Sequence, residues 1–296
     1  MADIEALRVQ TYSTNLELLL QQRGSPFRNY CRKANAAGSK AYRFLSQVAR
    51  ANASRRTGPA EPIDNQAMSL DGRWVNMPLP FNFNTIVDDI DLLQTNIQPQ
   101  GAYVTSAVES LNRQITDSFF TAFYGTAKTG ETGSTSTTFT SGNQIAVTVG
   151  AGAATGLNIE KLRAVKKLAQ QQFCDFSFER PVMALNAKAH DDLLALTQVV
   201  STDFNSRPVL SEDGVVSSFL GIDFVMSEQI PTDASGYYRL PFWVPSGVGE
   251  ATWFDIKTDI RELPNYKGKP KLIEAESCVE YTRLEENKCY EVKVTA

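Results

Sequence analysis

One long amphipathic segment, residues 99–124, constrains the fold of this chain more than any other feature. Apolar residues recur through it at intervals of three or four, which is the period of one helical face. The members of this stripe are Val104, Val108, Leu111, Ile115, Phe119 and Phe123. Pro99 suits the first turn of a helix, and Gly125 suits the position just past its end. The pattern predicts a helix about 39 Å long at 1.5 Å per residue, roughly twice the ordinary length.

The size and composition of the chain are those of a globular protein. It has 296 residues, 42% of them hydrophobic, which is enough for one large or two medium domains with a sizeable core. No stretch approaches the roughly 18 consecutive apolar residues of a membrane helix. The N-terminus lacks the charged-then-apolar order of a signal peptide. We therefore expect a protein that is made in the cytoplasm and needs no membrane.

The four cysteines are widely spaced along the chain, at Cys31, Cys174, Cys278 and Cys289. No two of them have the C-x-x-C spacing of a structural zinc site, and the chain has a single histidine, His190. We predict reduced, partly buried thiols, and we assign neither a metal-binding residue nor a cofactor.

Charge is distributed unevenly. Residues 1–60 carry ten Lys and Arg against three Asp and Glu, whereas the whole chain has a net charge of −4. Such a basic segment is compatible with nucleic-acid contact, or with an arm that lies on the acidic body of a neighbouring copy. The basic residues are dispersed with few aromatics between them, so a base-stacking surface is not indicated. We favour the arm on a neighbouring copy.

The N-terminal third predicts an extended hairpin. Residues 41–49 alternate as a strand does, residues 50–72 are rich in small and polar types, and residues 73–81 are extended with prolines that exclude a central strand. We predict a two-stranded excursion from about 40 to 85. Because an isolated hairpin is marginally stable in water, we expect it to rest on another subunit.

The remaining sequence predicts a mixed α+β body. A Gly- and Thr-rich loop follows Gly125 and lacks the G-x-x-x-x-G-K spacing of a phosphate-binding loop. Helices are predicted at 158–172 and 186–196, and strands at 145–149, 181–185, 219–226, 237–244 and 251–256. Residues 271–282 and 288–294 are predicted to form an antiparallel pair with each other. Since βαβ alternation is missing, a doubly wound parallel sheet is not expected.

Three groups of residues are candidate functional sites. His190 with Asp191 and Asp192 has the residue types of a hydrolytic triad, but its charged helical context favours a solvated face. Asp88, Asp89 and Asp91 could hold a cation or form ion pairs, and the sequence leaves this open. The three lysines of helix 158–172 are predicted to be solvated, with polyanion contact as the alternative. They are Lys161, Lys166 and Lys167. No catalytic, cofactor-binding or metal residue is assigned, and we do not expect an enzyme.

The order of these parts resembles a known architecture. A basic arm, a long hairpin, the run Ile86-Val-Asp-Asp-Ile-Asp91, a long helix and the loop Gly125-Thr-Ala-Lys-Thr-Gly130 precede an α+β body and two terminal strands. The chain resembles the major capsid proteins of tailed bacteriophages with the Hong Kong 97 fold, which encapsulin nanocompartments also use.

The resemblance implies a division of the chain into the regions of that fold. An N-terminal arm is expected at 1–39, an E-loop at 40–85, a peripheral domain at 86–149 and 251–296 with the spine helix at 99–124, and an axial domain at 150–250. It implies a virion shell subunit that is assembled in the host cytoplasm into pentamers and hexamers. The implied partners are a scaffold protein, a portal, possible decoration proteins and packaged double-stranded DNA contacted non-specifically. An encapsulin-like shell and a hydrolase using His190 are the alternatives.

Overall fold

The computed structural model describes residues 23–48, 53, 55, 58, 70–87, 100–200 and 214–295. The chain divides into two compact units. The first unit consists of Met1–Gly24, Leu79–Gln114 and Phe254–Cys278, and the second consists of Ser25–Pro78, Ile115–Trp253 and Val279–Ala296.

The predicted long helix is confirmed. Helix α1 spans Gln100–Tyr124, and its first part belongs to the first unit while its second part, from Ile115, belongs to the second. The predicted stripe is buried at its C-terminal members and only partly buried at Val104 and Val108. The same helix is therefore buried to different extents in the two units.

Three shorter helices follow, α2 at Ile159–Gln171, α3 at Ala187–Leu194 and α4 at Thr197–Val200. The side-chain oxygen of Asn158 accepts a hydrogen bond from the Lys161 amide at 2.8 Å, and that of Asn186 accepts one from the Ala189 amide at 2.9 Å. Both asparagines therefore satisfy amides of the first helical turn, which fixes where α2 and α3 begin.

Fourteen strands are present in the described part of the chain. They are β1 Arg32–Asn35, β2 Ala41–Val48, β3 Leu70–Asn76, β4 Phe81–Val87, β5 Ala127–Thr129, β6 Thr135–Thr137, β7 Gln144–Ile145, β8 Val182–Leu185, β9 Ser218–Phe219, β10 Ile222–Met226, β11 Tyr238–Trp243, β12 Val248–Glu262, β13 Lys271–Arg283 and β14 Cys289–Val294. Together with the helices they confirm the predicted α+β class.

The largest sheet lies in the second unit and has the order β7-β14-β11-β8-β10-β9. β8 is buried along its whole length and pairs parallel with β10 and antiparallel with β11. β14 pairs antiparallel with β11 from Tyr238↔Val294 to Trp243↔Cys289. The last strand, expected in the peripheral domain, therefore shares a sheet with strands expected in the axial domain.

The predicted pairing of residues 271–282 with 288–294 is wrong, although both strands exist. β13 pairs antiparallel with β4, from Lys271↔Val87 to Ser277↔Phe81, and β14 pairs with β11 and β7. Alternation along a strand shows that one face is buried, but it does not identify the partner, which packing of distant segments decides.

The hairpin predicted between 40 and 85 is present at its base. β2 pairs antiparallel with β3, and β3 continues into a sheet of order β2-β3-β5-β6. Within the extended run predicted at 73–81, Met77–Pro80 belong to no strand, which agrees with the expected effect of the two prolines, and β4 then pairs with β13 in the first unit. Most of the predicted hairpin between 49 and 69, and residues 1–22 of the predicted arm, lie outside the described residues.

Candidate assembly surfaces

The N-terminal segment 25–37 is attached to the second unit through two buried residues, Phe27 and Ala36. A 3-10 helix at Pro26–Tyr30 places Phe27 in full burial, with its ring stacked on Phe119 at 4.6 Å between centroids. Phe120 and Trp243 complete this aromatic cluster, and the indole Nε1 of Trp243 donates to the Tyr30 carbonyl at 2.8 Å. Such geometry adds specific aromatic contacts to the burial of apolar area.

Arg283 is fully buried and closes the C-terminal end of α1. Its Nη1 donates to the carbonyls of Phe123 and Gly125 at 2.5 and 2.6 Å, and its Nη2 donates to the Thr137 carbonyl at 3.2 Å. Its Nε pairs with the Glu286 carboxylate at 2.9 Å. The last carbonyls of a helix have no hydrogen-bond donor within the helix. Here the Arg283 guanidinium is that donor, and its positive charge interacts favourably with the negative end of the helix dipole.

The base of the hairpin is attached to its own unit. The Asp71 carboxylate accepts a hydrogen bond from the Gly130 amide at 2.9 Å, and the Trp74 indole donates to the Gly130 carbonyl at 2.9 Å. Arg73 is buried and donates to the Leu284 carbonyl at 3.0 Å. The base of the hairpin therefore rests on its own unit, and the expected contact of the hairpin with another subunit stays a prediction. The Gly- and Thr-rich loop forms the strands β5 and β6 that support it.

Two buried carboxylates connect distant segments of the second unit. Glu250 accepts from the Arg28 guanidinium at 2.9 Å and from the Tyr281 hydroxyl at 3.1 Å. Burial and the charge of Glu250 raise the pKa of Tyr281 well above its ordinary value, so it stays a donor. Glu291 forms a two-point pair with Arg239, at 2.9 and 2.8 Å. Both pairs satisfy charges that would be costly to bury alone.

The first unit has a thinner core among its described residues. Its core cluster is Ala107, Leu111 and Ala275, with Phe81, Phe83 and Ile256 partly buried against it. None of its described aromatic side chains is fully buried. Its exposed large apolar residues are Leu79, Ile86, Tyr103, Ile260 and Tyr266. These five side chains are apolar surface of the first unit that a contact with another molecule could cover.

The structure does not assemble a hydrolytic triad around His190. The imidazole Nε2 accepts a hydrogen bond from the Val216 amide at 3.1 Å, so this nitrogen is not free to act as a base. The Asp192 carboxylate accepts from the Leu157 amide at 2.9 Å, and Asp191 is exposed. These side chains fix local backbone in the second unit, and the half-buried position of His190 differs from the solvated face that was predicted.

Asp88, Asp89 and Asp91 lie outside the described residues. Within the part of the chain that is described, no three His, Cys, Asp or Glu side chains are grouped so that they could hold a metal ion. None of the described helices combines the length and apolar character needed to cross a membrane.

Lys161 was predicted to be solvated, and this is wrong. Its side chain is fully buried, and Nζ donates to the carbonyls of Thr155 and Gly156 at 2.7 and 2.9 Å. Burial lowers the pKa of Lys161 to about 8, against the opposing effect of the Asp192 charge. A lysine in the first turn of α2 can donate hydrogen bonds to the carbonyls that precede the helix. The charge pattern of the sequence does not show whether these carbonyls lie within its reach.

The four cysteines are free thiols, as predicted. Cys278 and Cys289 are buried and Cys31 and Cys174 are partly buried. Burial raises the pKa of the Cys31 and Cys289 thiols, so these two remain protonated and unreactive at neutral pH.

The comparison with protein families gives one match that covers nearly the whole chain. The model of the family described as "Phage capsid protein" matches residues 4–296. A comparison with curated protein sequences finds no match.

Several solved structures are similar to the chain over almost its full length. The capsid of cyanophage P-SCSP1u aligns with a TM-score of 0.76 and 15% identity, over 99% of this chain and 94% of that one. A structure from Mycobacterium phage Che8 aligns with a TM-score of 0.70 and 14% identity, over 96% of both chains. The capsid asymmetric unit of cyanophage Pam1 gives 0.72 and 12%, over 100% and 99%. The chain thus has the expected Hong Kong 97-like α+β fold, and these low identities show the fold alone.

Proposed function

This chain belongs to the phage capsid protein family, and from that premise we propose that it is the major capsid protein of a tailed double-stranded DNA bacteriophage. Its copies form pentamers and hexamers of an icosahedral shell that encloses the genome. The observation that carries the proposal is the family match over residues 4–296. The Hong Kong 97-like fold supports it, whereas no observation favours the encapsulin or hydrolase alternatives.

The distribution of surfaces fits a subunit that is completed by its neighbours. Head-to-tail contacts close into rings when the rotation between copies allows it. Asp71, Arg73 and Trp74 hold the hairpin base on its own unit. The segment between β2 and β3 would contact a neighbouring copy from this anchored base. The exposed apolar residues of the first unit supply further area for such contacts.

The proposed role requires partners but no catalytic residue. A scaffold protein, a portal and decoration proteins would bind the assembled copies, and the site of action is the virion after assembly in the host cytoplasm. The exposed basic residues of segment 1–60, such as Arg32, Lys33 and Lys40, would contact a neighbouring copy or meet DNA phosphates non-specifically. A shell protein carries out its function through contacts between folded copies.

The direct experiment is electron microscopy of the full chain produced together with its scaffold protein. We expect closed icosahedral particles of uniform diameter. A chain that stays monomeric at all concentrations and salt conditions, with its scaffold present, would contradict the proposal.

A second experiment separates assembly from folding. Residues 49–69 are replaced by Asn-Gly, a two-residue connection that suits the antiparallel pair β2–β3. We expect the thermal midpoint of the unassembled chain to be unchanged and particles to be lost. Normal particles from this variant would show that the segment between β2 and β3 does not take part in assembly.

A further inference from the structure

The carboxylate of Glu286 lies between two buried arginines of the second unit. Its Oε2 accepts a hydrogen bond from Arg283 Nε at 2.9 Å, and its Oε1 lies 3.8 Å from Arg73 Nη1. The Arg283 and Arg73 side chains are 0% and 8% exposed, and that of Glu286 is 13% exposed. Among the described residues, neither guanidinium pairs with another carboxylate. One negative charge is therefore the counter-charge of two positive charges that have little access to water.

The two arginines belong to elements with different surroundings. Arg73 lies in β3 at the base of the hairpin, where β3 pairs with β2 and β5. Arg283 ends β13, and its other nitrogens donate to carbonyls at the C-terminal end of α1. In the described part of the chain, no hydrogen bond or ion pair joins the Arg73 side chain to α1. Glu286 therefore gives the hairpin base and the end of α1 a shared charge partner, in addition to the backbone pairing of β3 with β5.

The two ion pairs differ in how far they are closed. The distance to Arg283 is that of a hydrogen bond, whereas the distance to Arg73 exceeds it by about 1 Å. Glu286 Oε1 and Arg73 Nη1 are both buried, and neither has a hydrogen-bond partner among the described residues. Because buried polar atoms are normally hydrogen-bonded, a small shift of β3 toward residue 286 would be favourable. The network therefore has a second arrangement, in which the carboxylate is closer to Arg73.

We propose that Glu286 is a conformational coupling residue, through which the position of the hairpin base and the closure of α1 depend on each other. A contact that draws β3 toward residue 286 closes the pair with Arg73, and the carboxylate then moves relative to Arg283. Coupling between two sites is reciprocal, so a change at the end of α1 also shifts the hairpin base. The inference does not depend on the proposed shell function, because all of its parts lie in the second unit.

Elementary electrostatics gives the sign of the coupling. Without the Glu286 charge, two buried guanidiniums would repel each other at low dielectric. Removing Arg73 as well would relieve that repulsion, so that Arg283 could again close the end of α1. The effects of the two changes are therefore expected to be non-additive, as they are for residues of one charge network.

The test is hydrogen–deuterium exchange on the full chain, kept unassembled, with Glu286→Gln, Arg73→Met and the double variant. The readout is the protection of the last turn of α1, residues 121–125. We expect Glu286→Gln to lower this protection at least about tenfold, and Arg73→Met to change it less than about threefold. The double variant should lose less protection there than Glu286→Gln alone. Additive effects of the two changes would overturn the proposal.

Val75→Ala is the matched control for a hairpin base that is loosened without any change of charge. Val75 lies in β3 and is 4% exposed. We expect this variant to lower protection in β2 and β3 and to leave the last turn of α1 as in the wild type. A loss at α1 as large as that from Glu286→Gln would show that general loosening, and not the shared carboxylate, connects the two regions.

Glu286→Asp keeps the charge and serves as the test if Glu286→Gln does not fold. Its side chain is shorter by one methylene, so that it cannot close the longer gap to Arg73. We expect protection of the paired residues of β3 to fall at least about threefold, while the last turn of α1 stays within about twofold of the wild type. Unchanged protection of β3 would show that the Arg73–Glu286 pair does not hold the hairpin base, and the proposal would be overturned.

Discussion

The two units of the molecule bury their side chains by different means. The second unit is built around aromatic rings, with Phe27, Phe119, Phe123 and Trp243 at 1% exposure or less. The first unit, among its described residues, buries aliphatic side chains such as Leu111 and Ile273 but no aromatic ring fully, and it leaves Leu79 90% exposed. One helix, α1, belongs to both units, and its buried aromatic residues, Phe119, Phe120 and Phe123, lie in the half that belongs to the second unit.

This difference indicates how folding and assembly are divided. Large buried side chains contribute most of the stability of a domain, since stabilisation follows the apolar area removed from water. A unit with few of them gains more from contact with other copies. We expect the second unit to be stable in the unassembled chain and the first unit to become stable through assembly.

The largest effect is expected when the C-terminal closure of α1 is removed. Arg283→Met leaves the carbonyls of Phe123 and Gly125 without their arginine donor and removes the closer of the two arginines that pair with Glu286. We expect this to cost about 4 kcal/mol in the free energy of unfolding. The control is Arg261→Met in the first unit, where the arginine pairs with Glu274 at an exposed position. A surface pair of this kind is worth about 0–1 kcal/mol. Denaturant unfolding of the unassembled chain measures both, and equal losses would contradict the comparison.

The next effect compares aromatic residues in the two units. Phe119→Ala removes a fully buried ring that contacts Phe27 and Trp243, and we expect a loss of about 3–4 kcal/mol. Phe83→Ala removes a partly buried ring of the first unit, and we expect about 1–2 kcal/mol, because less area is returned to water. Thermal unfolding of the two variants checks the order. A larger loss of stability from Phe83→Ala than from Phe119→Ala would contradict the conclusion that the main core lies in the second unit.

The third prediction concerns pH. The pKa of Lys161 is about 8 in the folded chain and about 10.4 when the chain is unfolded. Between these values the unfolded chain binds the proton and the folded chain does not, so stability rises as pH increases through this window. We expect a gain of about 2 kcal/mol that Lys161→Gln, which cannot titrate, does not show. Unfolding measured at pH 7.5, 9 and 10.5 gives the slope, and identical slopes for the two proteins would disprove the assignment.

The smallest effect tests the attachment of the hairpin base. Gly133 has a φ of 73°, and a Cβ there would lie 2.9 Å from the Trp74 ring. Gly133→Ala should cost about 1 kcal/mol from backbone strain alone, whereas Gly142→Ala, with a Cβ 3.9 Å from its nearest neighbour, should cost less. The comparison uses the thermal midpoints of the unassembled variants. No difference between them would show that the turn is not packed on Trp74.

The sequence predicted local elements well because their signals are local. The stripe of α1 and the caps Asn158 and Asn186 each act within a few residues. The sequence did not predict the burial of Arg283 or Lys161, since a charged residue is buried only where distant carbonyls converge on it. The exposure of Phe173 and Phe178 was likewise unpredictable, because an apolar residue in a loop sequence does not show whether a core lies beneath it.

Hydrogen–deuterium exchange on the unassembled chain and on assembled particles tests the division between the units most directly. The account predicts that amides of β8, β11 and β14 are protected in both states, while those of β4, the first half of α1 and the paired part of β13 exchange quickly in the unassembled chain and slowly in particles. Equal and strong protection of both units before assembly would contradict it.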